Sequence, residues 1–229
     1  MKKTWTASAL SFALIFSAAG SAFASASFQD IGASGAKERI EALQEKGIVT
    51  GVTADRFAPG EQLLLAQGIA MIDRGLLADE PAGGVNADSA TAYFTNIPAD
   101  SWYHASFAAA HNHGLDLPAG ANPADAMTKE QFVHYCMQAL ESTKQFPMIN
   151  LIPQPLADED QLTIEYQGTI QRALHYGLVA LDESGRFDPK SKLTREDAAS
   201  ILYQAIALYE KQAKINDQMK PENSQESSK

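Results

Sequence analysis

Apolar residues recur at i, i+4 and i+7 ahead of three glycines. Ala36, Ile40 and Leu43 precede Gly47; Tyr103, Phe107 and Ala110 precede Gly114; Tyr166, Ile170 and Ala173 precede Gly177. That spacing lies along one face of an α-helix. A glycine just beyond it predicts a helix end in the left-handed conformation, where a Cβ is penalised. A short β-leaning stretch follows each glycine: Ile48-Val49, Leu115 and Leu178-Val179.

A loop ending in proline comes next. Arg56-Phe57-Ala58-Pro59 matches Arg186-Phe187-Asp188-Pro189, whereas the middle segment has Asn122-Pro123 and no phenylalanine. Shortly after each proline a second helix is expected. Thr194-Arg195-Glu196-Asp197 and Thr128-Lys129-Glu130-Gln131 read as capping boxes, which satisfy two otherwise unpaired helix-start N–H groups. The corresponding Leu64-Leu65-Ala66-Gln67 lacks the threonine, a loss that typically costs about 1 kcal/mol. These second helices share an apolar face. Ala198, Ile201, Leu202 and Ala205 correspond to Phe132, Tyr135, Cys136 and Ala139, and to Gly68, Met71, Ile72 and Gly75. No strand-length alternation separates the helices. The expected class is all-α, built from three helix-loop-helix units that share one core, because a single helix pair buries too little apolar surface. Cys136 falls on the core face and reads as a buried thiol, not a nucleophile.

The units occupy about 27–77, 93–142 and 158–210. A linker at 78–92 is rich in Ala, Gly, Asp and Pro, one at 143–157 carries three prolines, and 211–229 reads as a polar, disordered tail. Residues 1–26 read as a signal peptide: Lys2 and Lys3, a short apolar stretch, then small residues to Ala26. The apolar stretch is too short for a permanent span of ~20 residues, so no integral membrane segment is expected after cleavage. Lys+Arg number 18 and Asp+Glu 28, a formal charge of -10, with no basic cluster, which argues against a nucleic-acid partner. His104, His111, His113, His134 and His175 do not converge on a metal-ligand pattern, and no cofactor is called for. No Gly-x-Ser-x-Gly element or phosphate loop occurs, and the Asp158–Asp160 pair lies beside prolines, so the chain reads as noncatalytic.

Taken in order, the units resemble the S-layer homology (SLH) motif. Phe28-Gln29-Asp30-Ile31 and Phe94-Thr95-Asn96-Ile97 match its opening, Pro98-Ala99-Asp100-Ser101-Trp102-Tyr103 its helix entry, and Leu193-Thr194-Arg195-Glu196-Asp197 and Met127-Thr128-Lys129-Glu130-Gln131 its second-helix start. The resemblance implies a pseudo-threefold body around a central helix bundle. It implies grooves that bind an anionic, often pyruvylated, polysaccharide linked to peptidoglycan, and a secreted protein held at a bacterial cell wall or surface. It assigns the principal ligand contact to Arg195, with Lys129 as the lesser counterpart. Arginine suits this task because its planar fork can grip a carboxylate with two parallel hydrogen bonds, while lysine supplies charge alone. Unpaired N–H groups at the same helix end would add partial positive charge. Leu65 supplies neither, so one or two competent grooves are expected. The competing reading makes Arg195 and Lys129 solvated charges beside a cap. Trp102 is placed to stack on a sugar ring or to pack between units. Thr128 and Thr194 read first as caps and second as ligand contacts. The pattern is degenerate at Gly51-Val52-Thr53-Ala54-Asp55, at Leu181-Asp182-Glu183-Ser184-Gly185 and at Leu156-Ala157-Asp158. A protein-interaction scaffold of the same fold, with a protein partner at the cell surface and lapsed glycan sites, is the alternative function.

Overall fold

The computed structural model describes residues 27–78, 92–147 and 149–219. The expected signal peptide, nearly all of the first linker and residues 220–229 of the tail lie outside the described residues.

Six α-helices lie wholly within the described residues: α1, Lys37–Glu45; α2, Leu65–Ile72, continued by a π-turn over Asp73–Leu77; α3, His104–Asn112; α4, Lys129–Ser142; α5, Gln167–His175; and α6, Arg195–Gln218. Two 3₁₀ turns, Glu159–Gln161 and Ile164–Tyr166, lead into α5. Among the described residues, bridge pairing is limited to three isolated contacts, so the class is all-α as expected. Gly47, Gly114 and Gly177 follow α1, α3 and α5 at φ of 71°, 80° and 73°, the left-handed helix ends that their positions predict.

The helices pack in a cycle. α2, α4 and α6 touch one another, while α1 lies on α6, α3 on α2 and α5 on α4. Each outer helix therefore packs against the central helix of a different hairpin. The apolar faces read from the sequence meet in one continuous core, with Ile40, Phe107, Ile170, Phe132, Cys136, Ala198 and Leu202 fully buried. Burying a side chain the size of Leu or Phe contributes ~1.5–3 kcal/mol, so the shared core is the main stabilising term.

Backbone hydrogen bonds close the same cycle at the centre. Leu63 N–H donates to the Leu193 carbonyl at 2.8 Å, Leu193 N–H to Met127 at 3.1 Å, and Met127 N–H to Leu63 at 2.8 Å. The starts of the central helices are tied likewise. Leu65, Lys129 and Arg195 N–H groups donate to the carbonyls of Asp125, Ser191 and Glu61; Ala66, Glu130 and Glu196 donate to Pro123, Pro189 and Pro59.

Three local expectations change. Leu64 provides no side-chain acceptor, but half of the capping box survives because Gln67 Oε1 accepts the Leu64 N–H at 3.1 Å. Leu156-Ala157-Asp158 is no degenerate remnant: Leu156 is buried where Phe28 is, and Asp158 accepts the Phe187 and Asp188 N–H groups at 3.0 and 2.8 Å, as Asp30 does those of Phe57 and Ala58. The polar segment from Lys211 onward does not begin a disordered tail. α6 runs through it to Gln218, and Asn216 Nδ2 donates to the Gln145 carbonyl at 2.8 Å.

Candidate functional site: a groove around Arg195

Thr194 starts α6 with a full capping box. Its Oγ1 accepts the Asp197 N–H at 3.2 Å, and Asp197 Oδ2 accepts the Thr194 N–H at 3.1 Å. Thr128 does the same for α4 with Gln131, at 3.3 and 2.9 Å. With the first two N–H groups of each helix already donated to neighbouring loops, no helix-start donor is left over for a ligand. The expected backbone contribution to anion binding is therefore absent, because folding itself consumes those donors.

Side chains remain. Arg195 is 5% exposed, so it is not a solvated charge. Its guanidinium lies 4.5 Å above the Phe57 ring, donates from Nε to the Phe57 carbonyl at 2.8 Å and from Nη2 to the Thr50 carbonyl at 2.9 Å. Burial draws its pKa below the usual arginine value, against the pull of Glu61 and Asp30. It stays charged, since so basic a group does not lose its proton in a protein. The acceptor at Phe57 is held rigidly. Ala58 sits at φ 60°, and Asp30 receives both its N–H and that of Phe57, at 2.7 and 2.9 Å.

Arg195 also lines a cavity of about 290 Å³. Val49 to Val52 form one wall, Gln67, Ala70 and Met71 of α2 with Arg74 of the π-turn another, and Trp102 also lines it, 62% exposed. Gly51 is needed for close packing: a Cβ there would lie 2.2 Å from the Thr53 carbonyl oxygen and 2.5 Å from that of Arg56. No carboxylate is among the described lining residues.

Lys129 repeats the Arg195 arrangement in part. Its Nζ donates to the Phe187 carbonyl at 2.7 Å and lies 4.7 Å from the Phe187 ring centroid. Burial lowers its pKa, with Asp188, Asp158, Asp182 and Asp197 opposing. It lines a separate cavity of about 490 Å³ with Lys190 and Lys192, but Asp188 and Asp197 share that lining. Lys190 is already bound to Glu130 at 2.5 Å and Lys192 to the Ala126 carbonyl at 3.0 Å. At the third equivalent place, Leu65 lines a cavity of about 180 Å³ with Asp125, Gln131, Tyr135 and Tyr166, and no cation is among its described lining residues.

The structure thus brings Arg195 and Trp102 together, places Lys129 in another cleft, and leaves Thr128 and Thr194 in their capping boxes. Sequence reading missed Gln67 and Arg74. Their signal was present, since 67, 70, 71 and 74 fall on one helical face, but nothing marked that face as a wall of a groove.

Two segments match the family model of the S-layer homology domain, residues 27–67 and 159–199. The chain is also similar to an amylopullulanase of Thermoanaerobacterium thermosulfurigenes, 29% identical over 77% of this chain and 9% of that protein. Exoglucanase XynX of Acetivibrio thermocellus is 28% identical over 78% of this chain and 16% of its own length. An endoglucanase of Bacillus sp. (strain KSM-635) is 25% identical over 71% and 17%. The chain spans less than a fifth of each of these relatives.

Proposed function

Because the chain carries S-layer homology domains at residues 27–67 and 159–199, a type of domain that mediates cell-wall binding, we propose that it is a secreted, noncatalytic wall-anchoring protein that holds an anionic secondary cell-wall polysaccharide in the groove around Arg195. Residues 93–142 act as a third copy in this reading. Support comes from the cyclic hydrogen bonds of Leu63, Met127 and Leu193, in which the middle segment takes a place equivalent to the other two.

The observation that carries the proposal is a buried arginine that lines a cavity together with an exposed indole, with no carboxylate among the described lining residues. A carboxylate on a sugar ring suits a guanidinium, and the indole offers an apolar face to the ring. Overall charge opposes the encounter, since protein and polymer are both acidic. That penalty is short-ranged, because the Debye length is ~8 Å at physiological salt. Recognition thus rests on local donors, and the three cavities rank by their cations: the Arg195 groove binds, the Lys129 groove contributes weakly beside its two aspartates, and the Leu65 groove does not.

Sedimentation with purified bacterial walls tests this. The protein should pellet with native walls and stay in solution with walls stripped of secondary polymer. Trp102→Ala, a change at an exposed site that leaves the core intact, should weaken binding about tenfold, equivalent to ~1.4 kcal/mol. Arg195→Gln should abolish it in protein shown by thermal melting to be folded. Equal pelleting with stripped walls would instead support a protein-interaction scaffold.

A further inference from the structure

The geometry points to Arg74 as a second anion contact in the Arg195 groove, and so to a sugar unit bearing two negative charges as the ligand. This inference rests on the groove reading above and goes beyond it in naming a residue and a ligand class. Arg74 lies in the π-turn that continues α2, on the wall facing the Arg195 groove. Two arginines therefore line one cavity of about 290 Å³ with no acid among its described lining residues. The neighbouring Asp73 carboxyl hydrogen-bonds Ser106 of α3 and attracts Arg74 from outside the lining, and Asp30 and Glu61 act on Arg195 from outside it as well.

The donor geometry separates the two charges. The Nε edge of Arg195 is spent on the Phe57 and Thr50 carbonyls. What it offers a ligand is its far end, Nη1 and the second Nη2 hydrogen, which fits one carboxylate end-on. One acid group fills that end and leaves Arg74 with the Asp73 carboxyl alone, a half-buried acid outside the lining that is also held by Ser106. A second acid group on the same sugar unit, with its ring against Trp102, neutralises both cations at once. The equivalent positions on α4 and α6 are Gln138 and Gln204, so this pairing is particular to the one groove.

Titration calorimetry at low salt with two probes tests the assignment: a methyl hexoside carrying one pyruvate ketal, and the same sugar with an added sulfate ester. Wild-type protein should bind the doubly charged probe at least tenfold more tightly. Arg74→Gln, which installs the residue found at both equivalent positions, should shrink that preference to under threefold and leave affinity for the singly charged probe within twofold. Arg74→Lys should keep most of the preference, and Arg195→Gln should lose both probes. A preference that survives Arg74→Gln, or an equal loss of both probes in that variant, overturns the two-charge assignment while leaving the groove itself standing. Failure of wild-type protein to bind either probe overturns the groove reading and this inference together.

Discussion

His134 projects from α4 into the joint with α5, where its ring is 1% exposed and stacks on Tyr166 with centroids 4.0 Å apart. Its Nδ1 lies 2.6 Å from Thr169 Oγ1 and its Nε2 2.7 Å from Asp116 Oδ1. Burial pushes its pKa below 6.5, and the hydrogen bond to Asp116 opposes that shift only in part. The unfolded chain thus takes up this proton at a higher pH than the folded one. Stability is complete above the unfolded value of 6.5 and falls as pH drops from there toward the folded pKa. Asp30 and Asp158 titrate elsewhere. Burial works against their ionisation, but the N–H donors of Phe57, Ala58, Phe187 and Asp188 outweigh it and hold them below 3.8. Their loss therefore begins only in more acid solution. The urea midpoint of wild-type protein should fall between pH 7.5 and 5.5, and His134→Gln, though less stable overall, should stay nearly flat across that interval. An unchanged wild-type midpoint would show that protonation costs the joint nothing. None of this was legible in the sequence, where His134 was one histidine among five and two of its three partners, Tyr166 and Thr169, lay in another hairpin. Arg195 was legible by type, because a threonine-capped helix start marks it. That its Nε edge serves the fold, not the ligand, depends on two carbonyls from the first hairpin and became visible only in three dimensions.

Helix phase and helix ends follow from short-range chemistry, and they are what the chain reveals most directly. The i, i+4, i+7 faces are buried as read except at Tyr103 and Tyr166, which are half-buried against the core, and the glycines terminate α1, α3 and α5 with positive φ. What pattern reading passed over are elements fixed by contacts distant in sequence. The π-turn at Asp73–Leu77 packs Gly75 against Leu202 and Ile206 of α6, where a Cβ would already be within 3.2 Å of Leu202. Asp158 lies in what reads as a linker end, yet it anchors a loop 29 residues away by bonding Phe187 N–H. Capping offers a direct test at this scale. α4 and α6 have complete boxes, whereas α2 keeps only the Gln67 half. Leu64 has a backbone conformation like that of the other two caps, with φ -85° and ψ 153° against -85° and 162° at Thr128. It is also 36% exposed, so little apolar burial is lost by replacing it. Leu64→Thr should complete the third box and stabilise the protein by about 0.5–1 kcal/mol in urea denaturation. A neutral or destabilising result would mean that Leu64 packs more usefully than it caps.

Among the described helices, the first helix of each hairpin packs on the second helix of another. α1 rests on α6, α3 on α2 and α5 on α4, and the ring of bonds through Leu63, Met127 and Leu193 takes one donor and one acceptor from each hairpin. Removing the third hairpin would strip α1 of its packing surface and α4 of its partner α5. It would leave the Leu63 N–H, the Met127 carbonyl and the first N–H groups of α4 without partners. Each buried polar group orphaned in this way costs ~1–3 kcal/mol, and marginal domains are stable by only ~5–15 kcal/mol in total. The same cut would remove Arg195 from its groove, so folding and binding depend on one closure. A chain of residues 27–142 should accordingly lack a cooperative thermal transition and show much reduced helical circular dichroism, whereas 27–219 melts in a single step. Adding residues 143–219 in trans should restore both helicity and the transition, because the missing contacts are noncovalent. A cooperative melt in the 27–142 chain alone would show that two hairpins form an autonomous core, and the cyclic packing would then be an arrangement of separate parts, not the condition for their folding.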